Sequence, residues 1–383
     1  MSRFIVFILV YLSIYGGVHA YAYLKLRKGF ALESLSSWIL ALFMALMIAA
    51  PVATRIAERY GHEIFSRVTA AIGYVWMGLV FLFITVCVCF DVYRAALWLI
   101  RRLGSWELIA YIPSHSFSCW VSIFLSAAVM FYGFFEARYI RLEHIQIPSR
   151  KISQDVGSIR IAQISDVHLG ILVGRDRLKR ILHQVRQAKP DILVSTGDLV
   201  DGEMDHMDSL AEMIRAVPTP YGKYAVTGNH EFYAGLAKSL KFTEDAGFKM
   251  LRGEGVVLKN GVTIAGVDDP ARPYRNLGND FERELLATLP SKGFTLYLKH
   301  QPVIDQDTLG LFDLQLSGHT HKGQIFPFSL ATKLFYSMHA GLTELGKGSR
   351  LYVSRGSGTW GPPVRFLSPP EVTLIELVPY PPR

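Results

Sequence analysis

Apolar positions are distributed unevenly along this chain. Before about residue 140 they form four long runs that carry almost no charge: Phe4–Leu24, Ser34–Thr54, Val68–Phe90 and Leu108–Phe135. Crossing about 30 Å of hydrocarbon takes roughly 20 residues, so each run is long enough to be a transmembrane helix. The first run is longer than a signal-peptide core and three more follow it, so it is expected to be retained. The last is expected to enter the membrane after Pro113. Basic residues close the runs: Lys25, Arg27 and Lys28; Arg55 and Arg59; Arg94, Arg101 and Arg102; Arg138 and Arg141. Trp38, Tyr74, Trp76, Trp120 and Tyr139 lie near the run ends, where amphipathic rings favour the interface. Val92–Leu103 is amphipathic and reads as a surface-lying segment.

After residue 140 the pattern changes. Glu143–Gly157 reads as a linker, and short β-branched runs then alternate with helical periodicity. Strands are expected at Ile159–Ile164, Ile192–Ser195, Tyr224–Thr227, Val262–Val267, Thr295–Lys299, Leu314–Ser317, Leu351–Ser354 and Val372–Leu377. Helices are expected at Asp176–Ala188, Met204–Val217 and Leu236–Ala246. This alternation predicts an α/β layered domain. The organisation is therefore a transmembrane region over 1–142, a linker over 143–157 and an α/β domain over 158–383.

Composition refines this picture in three ways. Half of the 383 residues are hydrophobic and the formal net charge is +8. Residues 1–150 carry 13 Lys+Arg against 7 Asp+Glu, and the remainder 27 against 25, so the basic excess borders the apolar helices. That is a membrane-anchoring pattern rather than a nucleic-acid groove, and no nucleic-acid partner is expected. Cys87, Cys89 and Cys119 all lie in apolar runs and form neither a disulfide framework nor a zinc cluster. No span holds Asp, Glu, Lys or Arg at its centre; His19 and His115 are the only ionisable candidates, and a packed or interfacial histidine is the simpler reading of each. The spans therefore read as an anchor in the lipid bilayer rather than a transporter. Basic residues in alternate loops balance until Arg150 and Lys151 are added, which favours a cytoplasmic C-terminal domain in a bacterial cytoplasmic membrane.

Chemistry concentrates at five strand ends. Asp166-Val167-His168 follows the first expected strand, and Gly197-Asp198-Leu199-Val200-Asp201 the second. Gly228-Asn229-His230-Glu231, His300 and Gly318-His319-Thr320-His321 follow three others. Ligands gather at the carboxyl ends of strands in α/β sheets, so these donors are expected to converge. D-x-H and H-x-H place alternate residues on one side of an extended chain, and a carboxylate such as Asp198 can bridge two cations. The glycines beside Asp198, Asn229 and His319 permit close backbone approach or positive φ.

At these residues the chain resembles the calcineurin-like metallophosphoesterase family, whose motifs run D-x-H, G-D-x-x-D, G-N-H-[D/E], H and G-H-x-H. The resemblance implies a four-layer α/β/β/α sandwich, here preceded by an all-α bundle of four transmembrane helices. It implies two divalent metal ions, one on Asp166, His168, Asp198 and His321, the other on Asp198, Asn229, His300 and His319. It also implies His230 as the acid beside the leaving group, with Asp201 and Glu231 behind the ligands. Gly266-Val267-Asp268-Asp269-Pro270 and Trp360-Gly361-Pro362-Pro363-Val364-Arg365-Phe366 resemble a membrane-associated bacterial branch, which includes UDP-2,3-diacylglucosamine pyrophosphatases and is similar to the animal transmembrane proteins with a metallophosphoesterase domain. Lys322 stands where many relatives carry Gly.

The expected activity is metal-dependent hydrolysis of a phosphodiester or pyrophosphate in an amphiphilic substrate. Histidines mixed with carboxylates favour manganese, iron or zinc. Arg272, Arg275, Arg355 and Arg365 are candidate phosphate holders. Two other readings are a sensor or scaffold with an inactive phosphoesterase-like domain, and a hydrolase of soluble nucleotides.

Overall fold

The computed structural model describes residues 6, 9–104, 106, 108–202, 207–271 and 280–380. The chain divides into two compact units, Met1–Phe134 with Gly361–Val364, and Phe135–Trp360 with Arg365–Arg383.

The first unit is helical: α1 (Gly17–Gly29), α2 (Ser34–Arg59), α3 (Glu63–Leu103) and α4 (His115–Arg138). Three segments among the described residues are long and apolar enough to cross a membrane: Ser34–Arg59, Glu63–Leu103 and Ile109–Arg138. The first expected run begins outside the described residues. Its described part is a π-helical stretch, Leu12–Gly16, running into α1. Val92–Leu103 is not a separate surface segment; it continues the third span as one 41-residue helix. At 1.5 Å per residue that helix is about 60 Å long, roughly twice the hydrocarbon thickness. Small residues let α2 and α3 approach closely, and a Cβ added to Gly73 would lie 2.9 Å from Ala50 Cβ. His19 is a packed histidine, donating from Nδ1 to the Tyr15 carbonyl and accepting from Trp76 Nε1, both at 2.8 Å.

The second unit contains two six-stranded sheets. Its strands are β1 (Arg141–Ser149), β2 (Ile159–Ile164), β3 (Leu169–Gly170), β4 (Ile192–Ser195), β5 (Val200–Asp201), β6 (Lys223–Ala225) and β7 (Lys249–Met250). They continue with β8 (Glu254–Val257), β9 (Val262–Gly266), β10 (Phe294–Leu298), β11 (Leu314–Ser317), β12 (Gly341–Gly346), β13 (Ser349–Val353) and β14 (Glu371–Pro379). One sheet runs β1-β14-β2-β4-β6-β7 and the other β12-β13-β11-β10-β9-β8, while β3 and β5 form a small separate ribbon. Strands β2, β4, β6 and β7 are mutually parallel, as are β9, β10, β11 and β13. Helices α5 (Arg175–Ala188), α6 (Asp208–Arg215), α7 (Asn229–Tyr233), α8 (Leu236–Asp245), α9 (Phe281–Ala287) and α10 (Phe328–Phe335) complete the unit. The helix expected over Met204–Val217 is thus shorter, and 203–206 lie outside the described residues.

The two-residue period of the strands sets the layers. Ile159, Ile161, Ile192 and Val194 of one sheet pack against Val262, Ile264, Leu296 and Leu314 of the other. Ala162, Ile164 and Leu193 face the opposite way, onto Ile181 and Leu182 of α5, Ile214 of α6 and Phe242 of α8. Ala265 and Tyr297 of the second sheet meet Leu286 of α9. The result is the expected helix–sheet–sheet–helix sandwich. The expected linker is a correction: its first part, Glu143–Ser149, belongs to β1, which pairs in parallel with β14 from Arg141↔Glu371 to Ser149↔Pro379.

Candidate metal centre

Each candidate ligand stands just past the carboxyl end of a strand. Asp166 and His168 follow β2, Asp198 follows β4, Asn229 opens α7 after β6, His300 follows β10, and His319 and His321 follow β11. Because these strands run parallel within their sheets, their ends deliver all seven side chains to one end of the sandwich. The donors gather as Asp166–His168–His321 and as Asp198–His300–His319, with a third grouping of His168, Asp198 and His230 joining the two. Within each group one ligand atom per residue lies within 4.8 Å of the others. Asp198 is central, its Oδ2 being 3.2 Å from His300 Nε2 and 3.8 Å from His168 Nε2.

The backbone is bent sharply to achieve this. Asp166, His168, Asp198, His319 and His321 all have positive φ, between 48° and 71°. Such conformations cost non-glycine residues of order 1–3 kcal/mol each and persist only where the surroundings enforce them. Two glycines allow the crowding. A Cβ on Gly228 would stand 2.1 Å from Asp198 Oδ1, and one on Gly318 would stand 2.2 Å from Asp166 Oδ2. Lys322 also has positive φ, 50°, which is the physical reason glycine suits that position.

Hydrogen bonds aim the donors. His300 donates from Nδ1 to the Thr196 carbonyl at 2.7 Å, which directs Nε2 at Asp198. His319 N donates to both Asp166 oxygens, at 2.9 and 3.1 Å. Glu231 is buried and accepts from the amides of Asp198, Leu199 and Gly228, at 3.0, 2.7 and 2.6 Å. It therefore fixes the turn bearing Asp198 rather than facing the centre. Asp201 Oδ1 lies 2.9 Å from His230 Nδ1.

The donor chemistry fits divalent cations. His168 Nε2 and His321 Nε2 face each other at 3.1 Å, and His319 Nδ1 is 3.2 Å from His300 Nε2 and 3.1 Å from Asn229 Oδ1. Burial pushes His168 and His319 down to about 4, and burial with the nearby Arg365 charge drives His321 well below the ordinary range. These rings are therefore neutral near pH 7, the form in which imidazole can ligate a metal. Burial raises Asp166 to about 6, helped by the like charge of Asp198. At Asp198 the histidines, His300 foremost, outweigh burial and keep the carboxylate ionised. Converging lone pairs and buried carboxylates of this kind match the ligand preferences of borderline divalent metals.

The structure places two of the four candidate arginines, Arg355 and Arg365. Arg365 is fully buried and donates to the carbonyls of Gly358, His321 and Arg355 at 2.6–3.1 Å, and its Nη2 lies 3.0 Å from His321 Nδ1. It braces the centre from behind and cannot reach a substrate phosphate. Arg355 is held by Glu371 and Glu143. Arg272 and Arg275 lie outside the described residues. Two residues near the centre escaped the sequence reading, Tyr233, whose ring lies 5.5 Å from that of His230, and Tyr336, 5.5 Å from His319; Trp360, read there only as part of the closing motif, lies 5.7 Å from His230. Only Tyr233 carried a signal, three residues after His230 and hence on the same helical face.

The calcineurin-like phosphoesterase family model matches residues 159–323. An uncharacterized metallophosphoesterase of Aquifex aeolicus is 40% identical over 259 residues, covering 67% of this chain and 98% of that protein. The transmembrane protein with metallophosphoesterase domain of Danio rerio is 30% identical over 270 residues, covering 67% of this chain and 62% of that protein. Among solved structures, the 5'-nucleotidase precursor from Thermus thermophilus aligns with a TM-score of 0.36 and 16% identity over 58% of this chain and 54% of that one. The chain belongs to the calcineurin-like metallophosphoesterase family. It is a metal-dependent phosphoesterase of a class that uses two divalent ions, and it carries long apolar helices suited to membrane association.

Proposed function

We propose that this enzyme hydrolyses a phosphodiester or pyrophosphate bond in a lipid-linked substrate at the membrane surface. The observation that carries the chemistry is the pair of donor clusters joined through His168 and Asp198. Asp166, His168 and His321 would hold one cation, Asn229, His300 and His319 the other, and Asp198 both. When bound, two such ions, manganese, iron or zinc by their ligands, lower the pKa of a water nucleophile and offset charge on the phosphoryl oxygens.

The chain's own residues supply the rest. Asp201 holds His230 by Nδ1, which leaves Nε2 free to give a proton to the departing oxygen. Burial lowers the affinity of His230 for its proton, but Asp201, Asp198 and Glu231 outweigh this and raise it above the ordinary histidine range. That shift favours the protonated ring, the form that can give a proton to the leaving group. Glu231 keeps the Asp198 turn rigid during the reaction.

The lipid-linked substrate is supported by the membrane helices in the same chain. A bacterial cytoplasmic membrane with the phosphoesterase unit on the cytoplasmic face is supported by Arg150 and Lys151, which tip an otherwise even balance of basic loop residues. A pyrophosphate-linked glycolipid of the UDP-diacylglucosamine type fits this description. The inactive-scaffold reading is disfavoured by the complete donor set. The test compares ethyl and hexadecyl p-nitrophenyl phosphate, two diesters with one leaving group, using the full chain in vesicles with manganese. The expected result is a higher kcat/KM for the hexadecyl ester; equal values would overturn the lipid assignment and favour soluble substrates.

A further inference from the structure

Helix α10 has inverted polarity. Its one buried residue is Thr332, while Leu334 is 86% and Phe335 84% exposed, and Phe328 and Leu330 are exposed beside them. A helix packed on a water-soluble domain turns its apolar stripe inward, and contiguous exposed apolar surface marks an interaction site. From Lys322 to Ala340 the chain carries two lysines and no acidic residue. The helix starts seven residues after His321 and is followed by Tyr336, whose ring contacts His319, so this surface borders the metal-ligand cluster.

Connectivity identifies the occupant. The last membrane-spanning segment ends at Arg138 and β1 begins at Arg141, so two residues separate hydrocarbon-crossing helix from sheet. A bilayer is therefore always within reach of this unit. Two lysines in a segment with no acidic residue of its own suit anionic headgroups, and large apolar residues suit the acyl boundary beneath them.

We infer that α10 docks into the headgroup–acyl boundary of the bilayer that anchors the chain, inserting Phe328, Leu330, Leu334 and Phe335. Docking places the metal-ligand cluster beside phosphoesters that remain embedded by their acyl chains. The docking stands on exposure, charge and connectivity; only this last consequence rests on the lipid-substrate reading.

The test uses the full chain in phosphatidylcholine–phosphatidylglycerol vesicles, with Cys87, Cys89 and Cys119 replaced by alanine. Nitroxide labels are placed at Leu334→Cys, Phe335→Cys and, as an exposed reference on α8, Lys241→Cys. Labels at 334 and 335 should be open to oxygen and shielded from a water-soluble nickel complex, and the label at 241 the reverse. Nickel access at 334 and 335 equal to that at 241 would overturn the inference, as would shielding from both reagents, which marks a protein contact. In an otherwise unaltered chain, Leu334→Asp with Phe335→Asp should keep turnover of ethyl p-nitrophenyl phosphate, which verifies folding. Where the wild type prefers the vesicle-borne hexadecyl ester, turnover of that ester by this variant should fall on the order of tenfold; no fall in that case would also overturn the inference. Membrane-type labels combined with no wild-type preference for the hexadecyl ester would uphold docking and refute the lipid substrate alone.

Discussion

His230 Nδ1 lies 2.9 Å from Asp201 Oδ1, and this contact decides how the histidine titrates. Burial alone would lower the pKa of His230; the hydrogen bond to Asp201 and the surrounding carboxylates raise it instead. A raised pKa keeps the imidazolium populated to higher pH, so a rate that needs the proton is lost only as pH rises through that value. Asp201→Asn removes a charge and weakens the bond. The alkaline limb of the kcat profile should move to lower pH, by about one unit. His230→Ala should lose roughly 10²–10⁴-fold in turnover of diesters with poor leaving groups, and less with p-nitrophenolate, while metal content stays unchanged. A profile unmoved by Asp201→Asn would remove His230 from the acid role.

Asp198 belongs to the Asp198–His300–His319 group and, with His168 and His230, to the grouping that joins it to Asp166–His168–His321, and its Oδ1 also accepts from the His230 amide at 2.8 Å. Asp198→Asn preserves the shape and that acceptor but deletes the charge. Bound metal, counted by mass spectrometry, should fall from two ions per chain to one or fewer. Activity should drop on the order of 10³-fold, as when preorganised charge stabilisation is removed. Unchanged metal content and rate in both Asp198→Asn and Asp198→Ala would refute the dinuclear assignment.

How much of this was legible beforehand depends on the kind of signal. The convergence of the candidate donors was readable because each follows a short strand, and parallel strands deliver their ends to one place. The boundary was not. Strand β1 reads as a linker because it lies at the sheet edge, keeps only Ile147 buried and contains Pro148, all features of edge strands. Val92–Leu103 was misread because amphipathicity describes a face and does not say where a helix starts. Arg365 looks like any phosphate-binding arginine in one dimension; only the fold shows its guanidinium closed in by carbonyls.

Gly318 offers a steric test of the crowded centre. A Cβ there would lie 2.2 Å from Asp166 Oδ2 and would also collide with Ser165 Oγ. Asp166 cannot yield, since it accepts from His319 N and from Ser165 Oγ at 2.5 Å. Gly318→Ala should therefore displace Asp166 and His319 together. Metal affinity should fall by more than tenfold, with a loss of about 1–3 kcal/mol in stability typical of overpacking, read by calorimetry with and without metal. The same substitution at Gly174, where a Cβ meets nothing within 4 Å, should leave metal affinity unchanged.

Arg365 tests whether a buried cation can serve a cation site. Its Nη2 reaches the Gly358 carbonyl at 2.6 Å and lies 3.0 Å from His321 Nδ1, while Nη1 reaches the His321 carbonyl at 3.1 Å. Burial pushes its pKa down to about 9, yet it remains mostly charged near pH 7. One planar group thus fixes both the backbone and the ring of His321, whose backbone sits at φ 48°. Lysine has no fork to span these acceptors. Arg365→Lys should weaken the Asp166–His168–His321 site by roughly 10–100-fold, the usual effect of removing a group that orients a metal ligand. The Asn229–His300–His319 site should be affected less. Cobalt substitution reads the two sites separately by their absorption bands, without recourse to activity. Equal weakening of both sites with a large fall in Tm would mark Arg365 as a general structural residue; tight, unchanged binding at both would show that His321 needs no brace.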